Sequence, residues 1–173
     1  MLEIEVKAAL KDRRQVEARL RHLGAKAEGE RRQIDLYFAH PCRDFGASDE
    51  ALRLRLDGDR QVMTYKGPKL DARSKTREEI EQPIDFERMA LTLRRLGFKD
   101  FLRVEKMRTD YSWEGIIISL DRVVGLGDFV ELEVEDEDRE RGLERILDLK
   151  TRLDVQGNET RSYLELILEK DGK

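Results

Sequence analysis

The stretch Glu3-Ile4-Glu5-Val6-Lys7 ("EIEVK", residues 3–7) alternates a charged side chain with an apolar one at every step. In an extended strand, residues two apart share a face. One face of this strand therefore holds two acids and a base, and the other holds Ile4 and Val6. The fold turns on what the charged face meets, bulk water or a lined interior.

The same alternation recurs along the chain. Arg53 and Arg55 alternate with Leu52, Leu54 and Leu56, and Arg77, Glu79 and Glu81 share a parity. Lys106 and Arg108 are paired in the same way, Asp121 ends the apolar run "IIISL", and Glu131, Glu133 and Glu135 alternate with Val130, Leu132 and Val134. Period-two patterning reads as about eight strands, joined by hairpin signals at "DGD" (57–59), Glu114-Gly115 and "GLGD" (125–128). Gly67-Pro68 reads as a further turn. Hairpins imply antiparallel pairing.

Four stretches read as helices. "DRRQVEARLRHLG" opens on Asp12 as N-cap with Gln15 in the capping-box position, and "DFERMALTLRRLG" repeats the plan from Asp85. "DRERGLERILDLKTRL" carries Leu143, Ile146, Leu147 and Leu153, and a last helix over 160–169 presents Tyr163, Leu166 and Ile167. No low-complexity linker or composition shift divides the chain, so one domain over 1–173 is expected.

Composition narrows the function classes. The chain has 173 residues, 42% charged and 39% hydrophobic, which is too apolar and too patterned for a disordered segment. A net charge of −4 gives no global basic surface, so neither nucleic acid nor an acidic membrane is an expected partner. No apolar run reaches bilayer length, no signal-peptide pattern precedes Glu3, and Cys42 is the single cysteine. These features lead to the expectation of a soluble cytoplasmic protein. His22 and His40 stand beside no other ligand cluster, so a histidine metal site or a Ser/His/Asp triad is not expected. "GLGDFV" leads into a strand and not a helix, which removes the dinucleotide-loop reading.

Any single strand of this kind is most simply one wet face and one buried face. Taken together, the strands and the three amphipathic helices before the last one allow another solution. If the sheet closes with the helices outside, the charged faces point inward and mix signs. Lys7, Arg53, Arg55, Lys66, Arg77, Lys106 and Arg108 are basic, whereas Glu3, Glu5, Glu79, Glu81, Asp121, Glu131 and Glu133 are acidic. Enclosed charge must be paired or neutralised by a guest. A triphosphate with a divalent cation satisfies both signs.

In this order the motifs resemble the CYTH superfamily, the triphosphate tunnel metalloenzymes, and among them the class IV adenylyl cyclases and their archaeal relatives. The residues that carry the resemblance are E-x-E-x-K (Glu3, Glu5, Lys7), "QIDLYF" (33–38), "LRLR", "TYKGPK", "TREEIE", "EKMR", "SLDRVVGLGDFVELE" and "RSYLEL" (161–166). A His-Phe pair, frequent before E-x-E-x-K in that cyclase subgroup, is not among the residues before Glu3.

The resemblance implies an α+β fold, an eight-stranded antiparallel barrel forming a tunnel with helices packed outside. It also implies a bound triphosphate, essential Mg²⁺ or Mn²⁺, and a homodimer. Carried over by position, Lys7, Arg53, Arg55, Lys66, Arg77, Lys106 and Arg108 bind the phosphate chain. Glu3, Glu5, Asp121, Glu131 and Glu133 bind metal, with Glu5, Asp121 and Glu131 foremost; Lys7 joins these three in the catalytic set. Glu79 and Glu81 bind metal or orient arginines, and Lys69 and Lys75 flank a loop at the tunnel mouth. Asp121 is a candidate general base. The implied reaction is conversion of ATP to cyclic AMP and pyrophosphate. Hydrolysis of an inorganic, nucleoside or thiamine triphosphate is the alternative, and non-catalytic binding of phosphorylated small molecules is the third reading.

Overall fold

The computed structural model describes residues 2–69 and 77–172, apart from the side chains of Lys69 and Arg77. Lys75, and the roles expected of Lys69 and of Arg77, lie outside the described residues. The elements run β1 (Leu2–Ala9), α1 (Arg13–His22), β2 (Lys26–Ala39), β3 (Ala51–Asp57), β4 (Arg60–Lys69), β5 (Arg77–Pro83), α2 (Phe86–Arg95), β6 (Lys99–Trp113), β7 (Ile116–Val123), β8 (Gly127–Asp136), α3 (Arg139–Arg152) and α4 (Tyr163–Lys170). The eight strands form one sheet in the order β1-β8-β7-β6-β2-β3-β4-β5. The expected α+β fold of eight antiparallel strands and four helices is what the chain adopts. No helix among the described residues is long and apolar enough to cross a membrane.

The chain divides into two compact units. The first comprises Met1–Arg31 with Lys106–Lys173, the second Arg32–Glu105, and β2 and β6 run through both.

In the first unit, the apolar parity of β1, β7 and β8 meets α1 and α3. Ala8, Ile116, Ile118, Leu120, Val130, Leu132 and Val134 pack with Val16, Leu20, Ile146, Leu149 and Leu153, and Ile4 and Val6 join them. Alternation therefore placed the apolar half of "EIEVK" against helices. Asp12 caps α1, accepting from the Arg14 and Gln15 amides. Gln15 does not close a capping box; its amide reaches across to Asp154 at 3.4 Å.

Helix α3 corrects the expected stripe. It turns Gly142, Ile146 and Leu149 inward and leaves Leu143 and Leu147 exposed. Gly142 sets this rotation, because a Cβ built there would stand 2.3 Å from Ile4 Cδ1 and 3.1 Å from Asp136 Cβ. Gly142→Val is expected to cost about 1–3 kcal/mol through overpacking. Urea melts of the single variant and of the pair with Ile4→Val check this, since valine lacks the clashing Cδ1. An equal loss in both backgrounds would rule out that contact as the cause.

In the second unit, Ile34, Leu36, Phe38, Leu52 and Leu54 pack against Phe86, Ala90 and Leu93 of α2. Asp85 caps this helix, accepting from the Arg88 amide at 3.0 Å. The β3–β4 hairpin turns at residues 57–60 as expected. Gly67-Pro68 is not a turn: β4 continues through it, and the β4–β5 register shifts between Lys66 and Lys69. Proline offers no amide hydrogen to a ladder, so an irregular strand position accommodates it.

Candidate functional site

Register decides which of the alternating charges meet. Across β1–β8, Glu3 stands opposite Glu135, Glu5 opposite Glu133 and Lys7 opposite Glu131. Across β7–β8, Ser119 stands opposite Glu131. Across β6–β7, Arg108 stands opposite Asp121 and Asp110 opposite Ser119. Four strands of the first unit thus present one polar face, the reverse of the face that α1 and α3 cover.

At one end of this face, Glu3, Glu5 and Glu133 converge. Each can offer a carboxylate oxygen, and the three oxygens lie within 4.8 Å of one another. Burial first, and then the neighbouring Glu3 and Glu5 charges, push the Glu133 carboxyl up from its ordinary value. Three converging acids, one of them reluctant to ionise, are an arrangement that a hard divalent cation relieves. Mg²⁺ or Mn²⁺ therefore fits the donor set. Glu135 is exposed and stands outside the cluster.

At the other end, Asp121 is fully buried and accepts four hydrogen bonds. Lys106 Nζ donates at 2.7 Å, Arg108 Nε at 2.7 Å, an Arg108 terminal nitrogen at 2.6 Å and Tyr163 Oη at 2.9 Å. Burial pushes its carboxyl up, but Arg108 and Lys106 more than offset this and hold it at about 2. Arg108 also donates to Glu131. Burial tends to lower the Arg108 pKa, yet the Asp121 and Glu131 partners raise it overall. Lys106 goes the other way, lowered by burial and then by the Arg108 charge.

Asp121 and Glu131 were expected foremost among the metal ligands. The structure brings neither into the carboxylate trio and instead engages both with Arg108. Asp121, the candidate general base, has both of its oxygens engaged by these donors.

The second unit carries its own polar face. Arg55 forks onto Asp35 at 2.6 and 2.7 Å, and Arg53 donates to Thr64 Oγ1 at 3.1 Å. Lys66 donates to Glu79 at 2.8 Å, and Arg60 pairs with Glu81. Glu79 thus pairs with a lysine, and Glu81 with Arg60, an arginine outside the expected phosphate-binding set. Among the described residues, the Arg53 Nε and Gln33 Oε1 atoms are buried with no hydrogen-bond partner.

Two participants escaped the sequence reading. Asp35 lies in "QIDLYF" at the parity of the charged face, a signal that was available. Tyr163 stands in the sequence only as an apolar-stripe residue of the last helix. Its hydroxyl meets Asp121, and the Lys7 and Lys106 ammonium groups lie 4.6 and 4.8 Å from its ring centroid. The "SYLE" pattern signals the helix start, since Ser162 and Glu165 close a reciprocal capping box there.

The model of the CYTH domain matches residues 1–163. A protein of Methanocaldococcus jannaschii, provisionally named an adenylate cyclase, is 41% identical over 172 residues, covering 96% of this chain and 98% of that one. The solved structure of a Pyrococcus horikoshii OT3 protein superposes with a TM-score of 0.77 at 40% identity, covering 98% of this chain and 99% of the other. An adenylyl cyclase-like protein of Hippeastrum, described by a dominant triphosphatase activity, shares the fold with a TM-score of 0.73 at 23% identity, over 99% and 97% of the two chains. By the domain match and by its relatives, the chain belongs to the CYTH family.

Proposed function

We propose that the protein is a divalent-metal-dependent enzyme acting on a triphosphate, and that its reaction is adenylyl cyclase-like, ATP to cyclic AMP and pyrophosphate. The observation that carries the triphosphate reading is the division of one face into a trio of carboxylates, Glu3, Glu5 and Glu133, and a set of bases, the buried Lys7 and Lys106 and the part-buried Arg108. The cyclase reading is supported by the provisional name of the 41%-identical relative.

The bases hold phosphate oxygens and offset their charge. Arg108, with Nε and one terminal nitrogen held by Asp121 and Glu131, directs its other terminal nitrogen from a fixed guanidinium plane and loses little freedom on binding. Glu3, Glu5 and Glu133 would hold the metal, and a bound divalent cation supplies Lewis-acid stabilisation of the charge that builds on the phosphoryl oxygens. Arg53, Arg55 and Lys66 offer the same anion chemistry on the second unit.

Hydrolysis of the triphosphate is the second reading. Every charged side chain of the first unit's face suits phosphate or metal, and the same fold serves the Hippeastrum triphosphatase. The two reactions differ in the nucleophile, a ribose 3′-hydroxyl or water. Incubation with ATP and Mn²⁺, with products resolved by chromatography, separates them. Cyclic AMP and pyrophosphate in equal amounts are expected; orthophosphate without cyclic AMP would replace the cyclase by a triphosphatase. Turnover of no member of a panel of ATP, GTP, tripolyphosphate and thiamine triphosphate would overturn the enzymatic reading.

A further inference from the structure

We infer that Tyr163 is a positioning residue for the anion-binding bases, a role that rests on the triphosphate reading above. Helix α4 is the element that delivers it, and the packing of this helix is unusual. Tyr163 is its one buried residue. An ordinary anchoring aromatic inserts among aliphatic side chains. Tyr163 is absent from the apolar cluster of its unit and enters from the polar face, where Phe129 meets it edge-on with ring centroids 5.1 Å apart.

Its remaining partners are the charged groups of the site. The Lys7 ammonium, from β1, and the Lys106 ammonium, from β6, both lie within 5 Å of the ring centroid. Its hydroxyl donates to Asp121 of β7, the carboxylate that also fixes Lys106 and Arg108. One side chain therefore touches bases or their counter-ion on three strands.

The physics of each contact is plain. An aromatic ring attracts cations to its faces through its quadrupole, and the attraction strengthens where water is excluded. Lys7 is 6% exposed and Lys106 4% exposed, so this ring acts on two poorly hydrated ammonium groups that repel each other. The ring offsets that repulsion without adding a further counter-charge. The hydroxyl acts on the other side of the network. It holds one Asp121 oxygen, so that Lys106 and Arg108 are aimed by a carboxylate that cannot turn. Backbone contacts fix the approach of the helix: the Glu159 amide donates to the Lys7 carbonyl at 2.7 Å, just before the Ser162 cap.

Tyr163→Leu removes ring and hydroxyl, Tyr163→Phe removes the hydroxyl alone, and Ser162→Ala weakens the cap of α4 while leaving the ring in place. Inorganic tripolyphosphate is the probe, titrated calorimetrically against each full-length variant, with circular dichroism and thermal melting as the check on folding. Tyr163→Leu is expected to weaken binding about tenfold and Tyr163→Phe about threefold. Ser162→Ala is expected to lower the melting temperature with affinity within about twofold of the parent.

A purely structural role predicts another pattern, with affinity falling alike in Tyr163→Leu and Ser162→Ala and unchanged in Tyr163→Phe. That pattern would overturn the positioning role and leave the triphosphate reading standing, as would parent-like affinity in a folded Tyr163→Leu. Should the leucine variant fail to fold, Tyr163→Phe decides: unchanged affinity counts against the role and threefold weakening supports it. If the parent does not bind tripolyphosphate, the triphosphate reading fails and takes this role with it.

Discussion

Asp121→Ala is expected to destabilise the protein by about 3–5 kcal/mol at pH 7, the scale on which removing one partner of a buried ion pair acts. Lys106 and Arg108 are 4% exposed and part-buried respectively, and both direct hydrogen bonds at Asp121. Without it, two desolvated cations face each other beside Lys7, and Glu131 alone stays with Arg108. The sign of the pH dependence follows from the depressed carboxyl, at about 2 against an ordinary 3.8. A lowered folded-state pKa stabilises above the unfolded value and loses that contribution as pH falls through the folded one. The shift corresponds to about 2 kcal/mol at neutral pH. The stability gap between parent and Asp121→Asn should therefore be constant above about pH 5 and should narrow from pH 4 toward pH 2. Urea melts at stepped pH read it, and a gap independent of pH would remove Asp121 from the network as a charge.

Glu133→Gln is expected to act in opposite directions on stability and on function. Metal-dependent turnover should fall by about 100-fold or more, because one hard ligand of three is replaced by a neutral amide. The metal-free protein should gain up to about 3 °C in melting temperature, since like charges on facing strands repel. Here the carboxyl is raised, so ionising it as pH climbs past about 4.5 removes stability. The gain in the variant should appear at neutral pH and vanish below that point. Melting scans with and without Mn²⁺ give the third readout: the parent should be stabilised by the metal and the variant should not. Parent-like turnover together with a parent-like metal shift would exclude Glu133 from the cluster.

Sequence alternation carried most of the fold. Ile4 and Val6 lie with the helices as their parity required, and Glu3, Glu5 and Lys7 lie on the other face. The partition of the site was less legible, because alternation says which face a residue takes and not which residue stands opposite it. Glu131 and Glu133 are equivalent in "FVELEVE"; only the pairing Lys7↔Glu131 and Glu5↔Glu133 sends one toward the bases and the other toward the acids. Helix rotation was hidden for a related reason. Leu143 and Leu147 look like core by composition, whereas the close approach at Gly142 turns a neighbouring line of residues inward. Tyr163 was visible as a residue but not as a partner, since nothing local to "RSYLEL" announces lysines contributed by β1 and β6.

The pairing of β1 with β8 has a consequence for biosynthesis. Glu3 and Glu5 leave the ribosome before Glu133, which follows only after all of the intervening chain has been made. The carboxylate trio cannot exist on a nascent chain until β8 has emerged and found β1, a contact of large sequence separation that forms slowly. Divalent cation then cannot guide the early steps of folding. On the proposed function it would instead report their completion, so that in a refolding experiment the protection conferred by Mn²⁺ should appear only once β1 and β8 have paired.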